Sequence, residues 1–376
     1  MTKPLVYCDY NAGAPVRAEA AVAMSRALAA GGNASSVHGA GRRMRALIED
    51  AREKLAAAVE ASVENVVFTS GATEALHLAL AAADGASATL IVCATEHDAV
   101  FEHATRALGA TRVAPVDARG VINPAGLESL LRDADKPALV CLHLANNETG
   151  VIQPIAKIAT LCRDHGAFLL VDAAQALGRM PVSISALDAT YLVVSSHKVG
   201  GPPGTGALIL APGAPFRTTR FGGGQERGRR PGTENGPAVV GFGTAVEWAA
   251  RDMAAETERM RYLRDRFEAG LPREAVIFGA DAPRLPNVSN FALPGLAAET
   301  AVIAMDLEGV AVSSGAACSS GKVRASRVLD AMHVPVALAK SALRVSFGYG
   351  SGPNDADIAL EALNKVGARR KLAGAA

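Results

Sequence analysis

The chain has 376 residues, and its 38 Lys and Arg nearly cancel 37 Asp and Glu to leave a net charge of +1. That balance supplies no basic field, so no direct nucleic-acid binding and no membrane association are expected. Hydrophobic residues make up 49% of the chain and aromatic ones only 4%, which predicts a large, mostly aliphatic core. No run approaches the roughly 18 apolar residues of a membrane span, and the start, MTKPLVYCDYNAGAP, lacks the apolar stretch of a secretory signal. Five scattered cysteines without a C-x-x-C pair give neither a disulfide framework nor a metal cage, so a cytoplasmic location and no metal are expected.

In chain order, short β-rich runs alternate with helical ones. NVVFTS (65–70) leads into ATEALHLALAAA, and ATLIVCA (88–94) leads into DAVFEHATRALG. PALVCLHLA (137–145) precedes PIAKIATLCRDHG, which feeds AFLLVDAAQ (167–175); YLVVSSHK (191–198) and GALILA (206–211) follow. Continuous apolar strands between amphipathic helices predict an α/β fold with a mainly parallel central sheet covered by helices. A Gly-rich, charged stretch, RFGGGQERGRRPGTENG (220–236), then gives way to a long helix at roughly 237–270. Beyond it a smaller α/β unit is expected, with strands around 288–293 and 343–347 and helices near 297–307 and 325–332. The resulting division is a large cofactor-binding domain, 15–255, and a small domain made of 1–14 and 256–376.

Open α/β sheets bind ligands beyond the carboxyl ends of their strands, so polar residues just after the strands carry the most weight. In FTSGATEALHLAL a strand gives way at Gly71 to a helix, whose first N–H groups at Ala72 and Thr73 suit a phosphate. Ordinary helix capping with Glu74 explains the same pattern. Asp172 ends one strand and Lys198 ends another 26 residues later. Pyridoxal phosphate needs that combination: a lysine for its Schiff base and a carboxylate for its pyridinium nitrogen. Ser195 and His197 could add phosphate contacts, and Gln175 could reach the phenolic oxygen. His97, after the strand 88–94, could stack on the ring and shuttle protons; Asn147 could hydrogen-bond substrate or ring, or simply make a turn. Complete G-x-G-x-x-G, P-loop and H-E-x-x-H motifs are absent, which sets aside nicotinamide, nucleotide and zincin chemistry.

The ordered set YCDYNAGAPV, GGNASSVHGAG, TSGATE, TEHDAV, NNETGVIQP, VDAAQ, SSHK, GGGQERGRRPGTEN and SSGAACSSG resembles the cysteine desulfurases over residues 7–348. These belong to the class V aminotransferase branch of fold-type I pyridoxal-phosphate enzymes. The resemblance implies Lys198 as the Schiff-base lysine, Asp172 as the pyridinium partner, Gln175 as the ring-oxygen donor and His97 as the stacking acid/base. It implies a phosphate cup of Ala72, Thr73, Ser195 and His197, completed by Thr233 of a neighbouring subunit, and hence a homodimer. Asn147 would contact substrate and cofactor, and Arg344 would take the substrate carboxylate through its two-pronged guanidinium.

Cys318, flanked by Gly315, Ala316, Ala317, Ser319, Ser320 and Gly321, matches the sulfur acceptor. Small neighbours suit a thiolate that must reach a substrate sulfur, whereas Cys8, Cys93, Cys141 and Cys162 lie in strand or helix patterns and suit the core. Pro203 and Gly200 depart from the family, which usually has lysine and tyrosine there. The implied activity is removal of sulfur from L-cysteine to give L-alanine and a persulfide on Cys318. A sulfur-acceptor or iron–sulfur scaffold protein would then receive it, for cluster assembly or tRNA thiolation. Another class V aminotransferase, a selenocysteine lyase and a non-catalytic cofactor-binding partner are the competing readings.

Overall fold

The computed structural model describes residues 5–84, 89–106, 110–315 and 326–373. Its central sheet has seven strands, in the spatial order Val66–Thr69, Gly206–Leu210, Tyr191–Ser195, Phe168–Asp172, Ala138–His143, Thr89–Cys93 and Ala110–Ala114. Gly206–Leu210 runs antiparallel to both neighbours; every other pairing is parallel. The apolar runs are buried at nearly every residue because both faces are covered. Alternation along one strand shows this: Leu192 and Val194 enter one hydrophobic cluster, while Tyr191 and Val193 enter the cluster on the opposite face.

The strands and helices read from the sequence are matched closely, but several elements were not read, among them the helices Pro124–Arg132 and Asp355–Ala373. The helices Ala18–Ala30 and Gly39–Ala58 and the edge strand Ala110–Ala114 carry no signal that was read from the sequence. Val113 of that edge strand is exposed, so its pattern lacks the continuous apolar run of its neighbours.

The two early helices pack on the long helix Gly236–Ala269. A Cβ at Gly243 would come within 2.6 Å of the Ala51 Cα, so the close crossing there requires glycine. The long helix begins where Asn235 accepts the Ala238 N–H (3.3 Å) and Pro237 occupies the first turn.

That helix serves two cores. Val239, Phe242 and Val246 join the cluster under the central sheet, whereas Leu263 and Phe267 join a second cluster with Phe291, Leu343 and Phe347. The second cluster lies on an antiparallel sheet ordered Ser313–Ser314, Ala342–Ser346, Val288–Ala292 and Val276–Ile277. Val6–Tyr7 pairs with Val310–Ala311 and carries Cys8 into the same core. Among the described residues no helix is long and apolar enough to cross a membrane.

Candidate active site

Parallel strands that end in register place their last side chains along one edge. His143 pairs with Asp172, and Asp172 with Val193; Ser195 pairs with Gly206 on the antiparallel strand. Over this edge lies a cavity of about 390 Å³, a size that suits a small cofactor with part of a substrate. Ala72, Thr73, His97, Asn147, Asp172, Gln175, Ser195, His197 and Lys198 all line it.

One end of the cavity is built for an anion. The helix Ala72–Asp84 points its first turn inward, offering N–H groups that no helical carbonyl can take. Ser195 and His197 flank it, and so does Thr205, whose Oγ1 is buried with no hydrogen-bond partner among the described residues. An orphaned hydroxyl aimed at such a cradle fits a phosphate oxygen. A Cβ at Gly206 would meet Gly71 Cα at 2.9 Å, so only glycine lets this strand lie against the turn. Burial first, then the charges of Lys198 and Arg179, push His197 down to about 4, leaving its ring neutral at physiological pH.

Glu74 closes this end. Its Oε2 accepts the Ser70 N–H at 2.5 Å, and both Arg220 and Arg230 pair with its carboxylate. Burial opposes its charge, but Arg230 and Ser70 prevail and hold the carboxyl down to about 2. Two arginines from the Gly-rich stretch are thereby fixed beside the anion end.

The opposite end presents a carboxylate. Asp172 Oδ1 accepts the Ala174 N–H at 2.9 Å, and among the described residues nothing else donates to it. The group lies deep in the molecule yet stays partly accessible because it faces the cavity. Burial, then the Glu96 carboxylate, raise its pKa, while the Ala174 N–H pulls it back. A buried anion with one neutral donor suits a cationic ring N–H. Carboxylate, amine and anion cradle thus fit pyridoxal phosphate at the two ends of its ring.

Between these ends, Lys198 Nζ donates to Asn11 O (2.5 Å) and Ala12 O (2.8 Å). Gln175 Nε2 also donates to Asn11 O (3.0 Å), and its Oε1 accepts from Arg179 at 2.5 Å. Arg179 reaches the Lys198 carbonyl as well, at 3.4 Å. His97 caps the helix Asp98–Ala104 by accepting the Ala99 N–H on Nδ1 (3.1 Å), which sets the ring's orientation.

Two expected residues lie outside the cavity lining, and a third falls outside the described residues. Arg344 is buried outside the cavity lining, held by Asp9 (2.9 Å) and by the carbonyl of Asn147 (3.0 Å), so it sits one peptide away from the site. Thr233 is exposed on the loop before the long helix, away from its own chain's cavity. Cys318 lies outside the described residues. Immediately after that segment, Ser326 donates to Glu148 at 2.5 Å, and Arg327 pairs with Asp98. Glu148 is buried, and burial pushes its carboxyl up to about 7. The other four cysteines are buried; burial pushes the Cys93 and Cys162 thiols up to about 12 and raises those of Cys8 and Cys141.

Sequence reasoning missed Thr205 and His143 in the lining and passed over Glu74 as a helix cap. His143 could have been found by the strand-end rule that found Asp172, since it closes the run CLH. Thr205 precedes its strand, and only the antiparallel direction of Gly206–Leu210 brings that start to the site edge.

The class V aminotransferase model matches residues 6–358. The cysteine desulfurase IscS of Dictyoglomus turgidum is 37% identical over 372 residues, covering 96% of this chain and 94% of that protein. A cysteine desulfurase of Cereibacter sphaeroides is 38% identical over 374 residues, with 96% and 95% covered. The chain belongs to the class V aminotransferase family, among its cysteine desulfurases. An X-ray structure of a NifS-like protein from Rickettsia africae superposes with a TM-score of 0.90 at 29% identity, covering 96% of this chain and 99% of that one. The fold is accordingly that of the fold-type I enzymes, and the cofactor is pyridoxal phosphate.

Proposed function

We propose that this chain takes sulfur from L-cysteine, releasing L-alanine and leaving a persulfide on Cys318. The observation that carries the reading is the convergence of Lys198, Asp172 and an anion cradle on one cavity, in a chain whose sequence holds Cys318 within SSGAACSSG. Bound pyridoxal phosphate supplies an electron sink for the pair released at the substrate Cα. The N–H groups of Ala72 and Thr73, with Ser195, Thr205 and neutral His197, hold the phosphate. Asp172 keeps the ring nitrogen protonated, and Lys198 is the covalent attachment point. Lys198 Nζ would move the proton at the substrate Cα, with His97 Nε2 as the second proton carrier. Asn147 and Gln175 orient substrate and ring. Arg344 receives the substrate carboxylate, which requires the guanidinium to exchange Asp9 or the Asn147 carbonyl for it.

Cys318 completes the reaction. Its thiolate bonds to the substrate sulfur as the Cβ–S bond breaks; the bonding pair stays with the substrate, and protonation at Cβ leaves alanine. The small residues around Cys318 and the four buried alternatives support this assignment. We read the enzyme as a cytoplasmic homodimer of two-domain subunits, 15–255 and 1–14 with 256–376, supported by the two cores that share the long helix. The exposed Thr233 reaches the phosphate of the neighbouring subunit, and an iron–sulfur scaffold or other acceptor protein takes the sulfur onward.

The test is stoichiometric. Purified protein incubated with L-cysteine and a thiol reductant yields alanine and sulfide in equal amounts without any keto acid. Alanine or pyruvate formation that requires an added keto acid, or strict dependence on selenocysteine, overturns the reading.

A further inference from the structure

Behind Asp172 lies a buried pair that the reaction outlined above does not use. Glu96 and His143 are 1% and 4% exposed. Glu96 Oε1 accepts both the His143 backbone N–H (2.5 Å) and His143 Nδ1–H (2.9 Å), while its Oε2 is buried without any partner among the described residues. A half-satisfied carboxylate in a protein interior is destabilising and calls for a reason.

The protonation state of His143 follows from its other neighbour. Gln153 Oε1 accepts the Ile122 N–H (2.9 Å) and its Nε2 donates to Gly120 O (2.8 Å), so the amide cannot be reversed without facing oxygen with oxygen. The same Nε2 lies 3.3 Å from His143 Nε2. An amide nitrogen only donates, so His143 Nε2 accepts, and the ring carries its single proton on Nδ1. The imidazole is neutral and cannot cancel the Glu96 charge.

The strand register then places this charge at the cofactor. His143 lines the cavity and is the direct cross-strand neighbour of Asp172, so the Glu96 carboxylate bonded to it sits one strand behind the residue that faces the ring.

We propose that Glu96, held through neutral His143, is a positioning residue that supplies a second negative charge to keep the ring nitrogen of bound pyridoxal phosphate protonated. Two carboxylates, Glu96 and Asp172, then serve one pyridinium, and besides His143 the other titratable side chains of the lining are Glu74, His97, His197 and Lys198. The elevated pKa of Asp172, to which Glu96 contributes after burial, agrees with two anions awaiting one cation. The inference rests on the reading of Asp172 as the pyridinium partner.

The test compares binding of pyridoxal phosphate and of its 1-deaza analogue, whose ring carries C–H in place of N–H⁺, to the full chain and to Glu96→Gln. Glutamine keeps an acceptor for both His143 N–H groups and removes only charge. The variant is expected to bind pyridoxal phosphate roughly tenfold more weakly, as a unit charge about 10 Å away supplies at an effective dielectric constant of about 20. Its affinity for the deaza analogue should not change. Equal weakening for both ligands, or for neither, overturns the proposal. Failure of the unsubstituted chain to prefer pyridoxal phosphate over the deaza analogue overturns the reading of Asp172 instead. Should Glu96→Gln not fold, ¹⁵N-histidine spectra of the unsubstituted chain decide. A neutral His143 protonated on Nδ1 is expected, and an imidazolium or an Nε2–H tautomer refutes the inference.

Discussion

Replacing Asp172 by asparagine separates the two things this carboxylate does. Without cofactor it is a buried anion with one neutral donor, the Ala174 N–H, and a second carboxylate nearby. Its folded pKa is raised, so it contributes stability that is present at low pH and lost as pH rises through the folded value. Asparagine keeps the Ala174 hydrogen bond and has no charge to bury. The cofactor-free variant should therefore be at least as stable as the parent, with the difference growing as pH rises.

With cofactor the effect reverses. A charge-assisted hydrogen bond to the ring nitrogen is worth about 1.5–3 kcal/mol, so affinity should fall by roughly 10- to 100-fold. Fluorescence titration with pyridoxal phosphate and thermal unfolding of the cofactor-free protein across pH measure the two effects. A variant that binds the cofactor as tightly as the parent, with a superimposable unfolding profile against pH, refutes the assignment of Asp172.

Cys318→Ser should bind pyridoxal phosphate normally yet release no alanine from cysteine, and intact mass after exposure to cysteine should show no added sulfur. Lys198→Ala should bind the cofactor without covalent attachment, so borohydride followed by peptide mass analysis finds no pyridoxyl group at that position. Thr205→Val removes the orphaned hydroxyl: cofactor affinity should fall by roughly 3- to 10-fold, the worth of one hydrogen bond, while the cofactor-free protein keeps or gains stability. His197 is held neutral with its pKa depressed to about 4. The stability it contributes is present above about pH 6.5 and lost as pH falls towards 4, about 3 kcal/mol in all. His197→Gln should flatten that acid limb in unfolding experiments without cofactor.

The sequence alone determined the central sheet, because strands covered on both faces must be continuously apolar and the helices between them amphipathic. It also located Asp172, Lys198, Ser195 and the Gly71 turn, since chemistry in such sheets gathers where strands end. The edge strand Ala110–Ala114 escaped notice because one exposed side breaks its apolar run. The early helix Gly39–Ala58 carries Met44, Ile48, Ala51 and Leu55 at helical spacing and was legible in the sequence, whereas Ala18–Ala30 buries only Ala20 and Ala27 and shows no such stripe.

Tertiary structure decided what depends on direction and register. Thr205 reaches the site only because its strand runs against its neighbours, an orientation that composition does not encode. Arg344 and Asp9 are 335 residues apart, and their ion pair follows from the N-terminal segment returning to the second sheet. The protonation of His143 was equally hidden, for it depends on an amide fixed by two backbone groups of another loop. Local pattern sets which residues prefer the interior, but the polar contacts among them form only when distant segments meet.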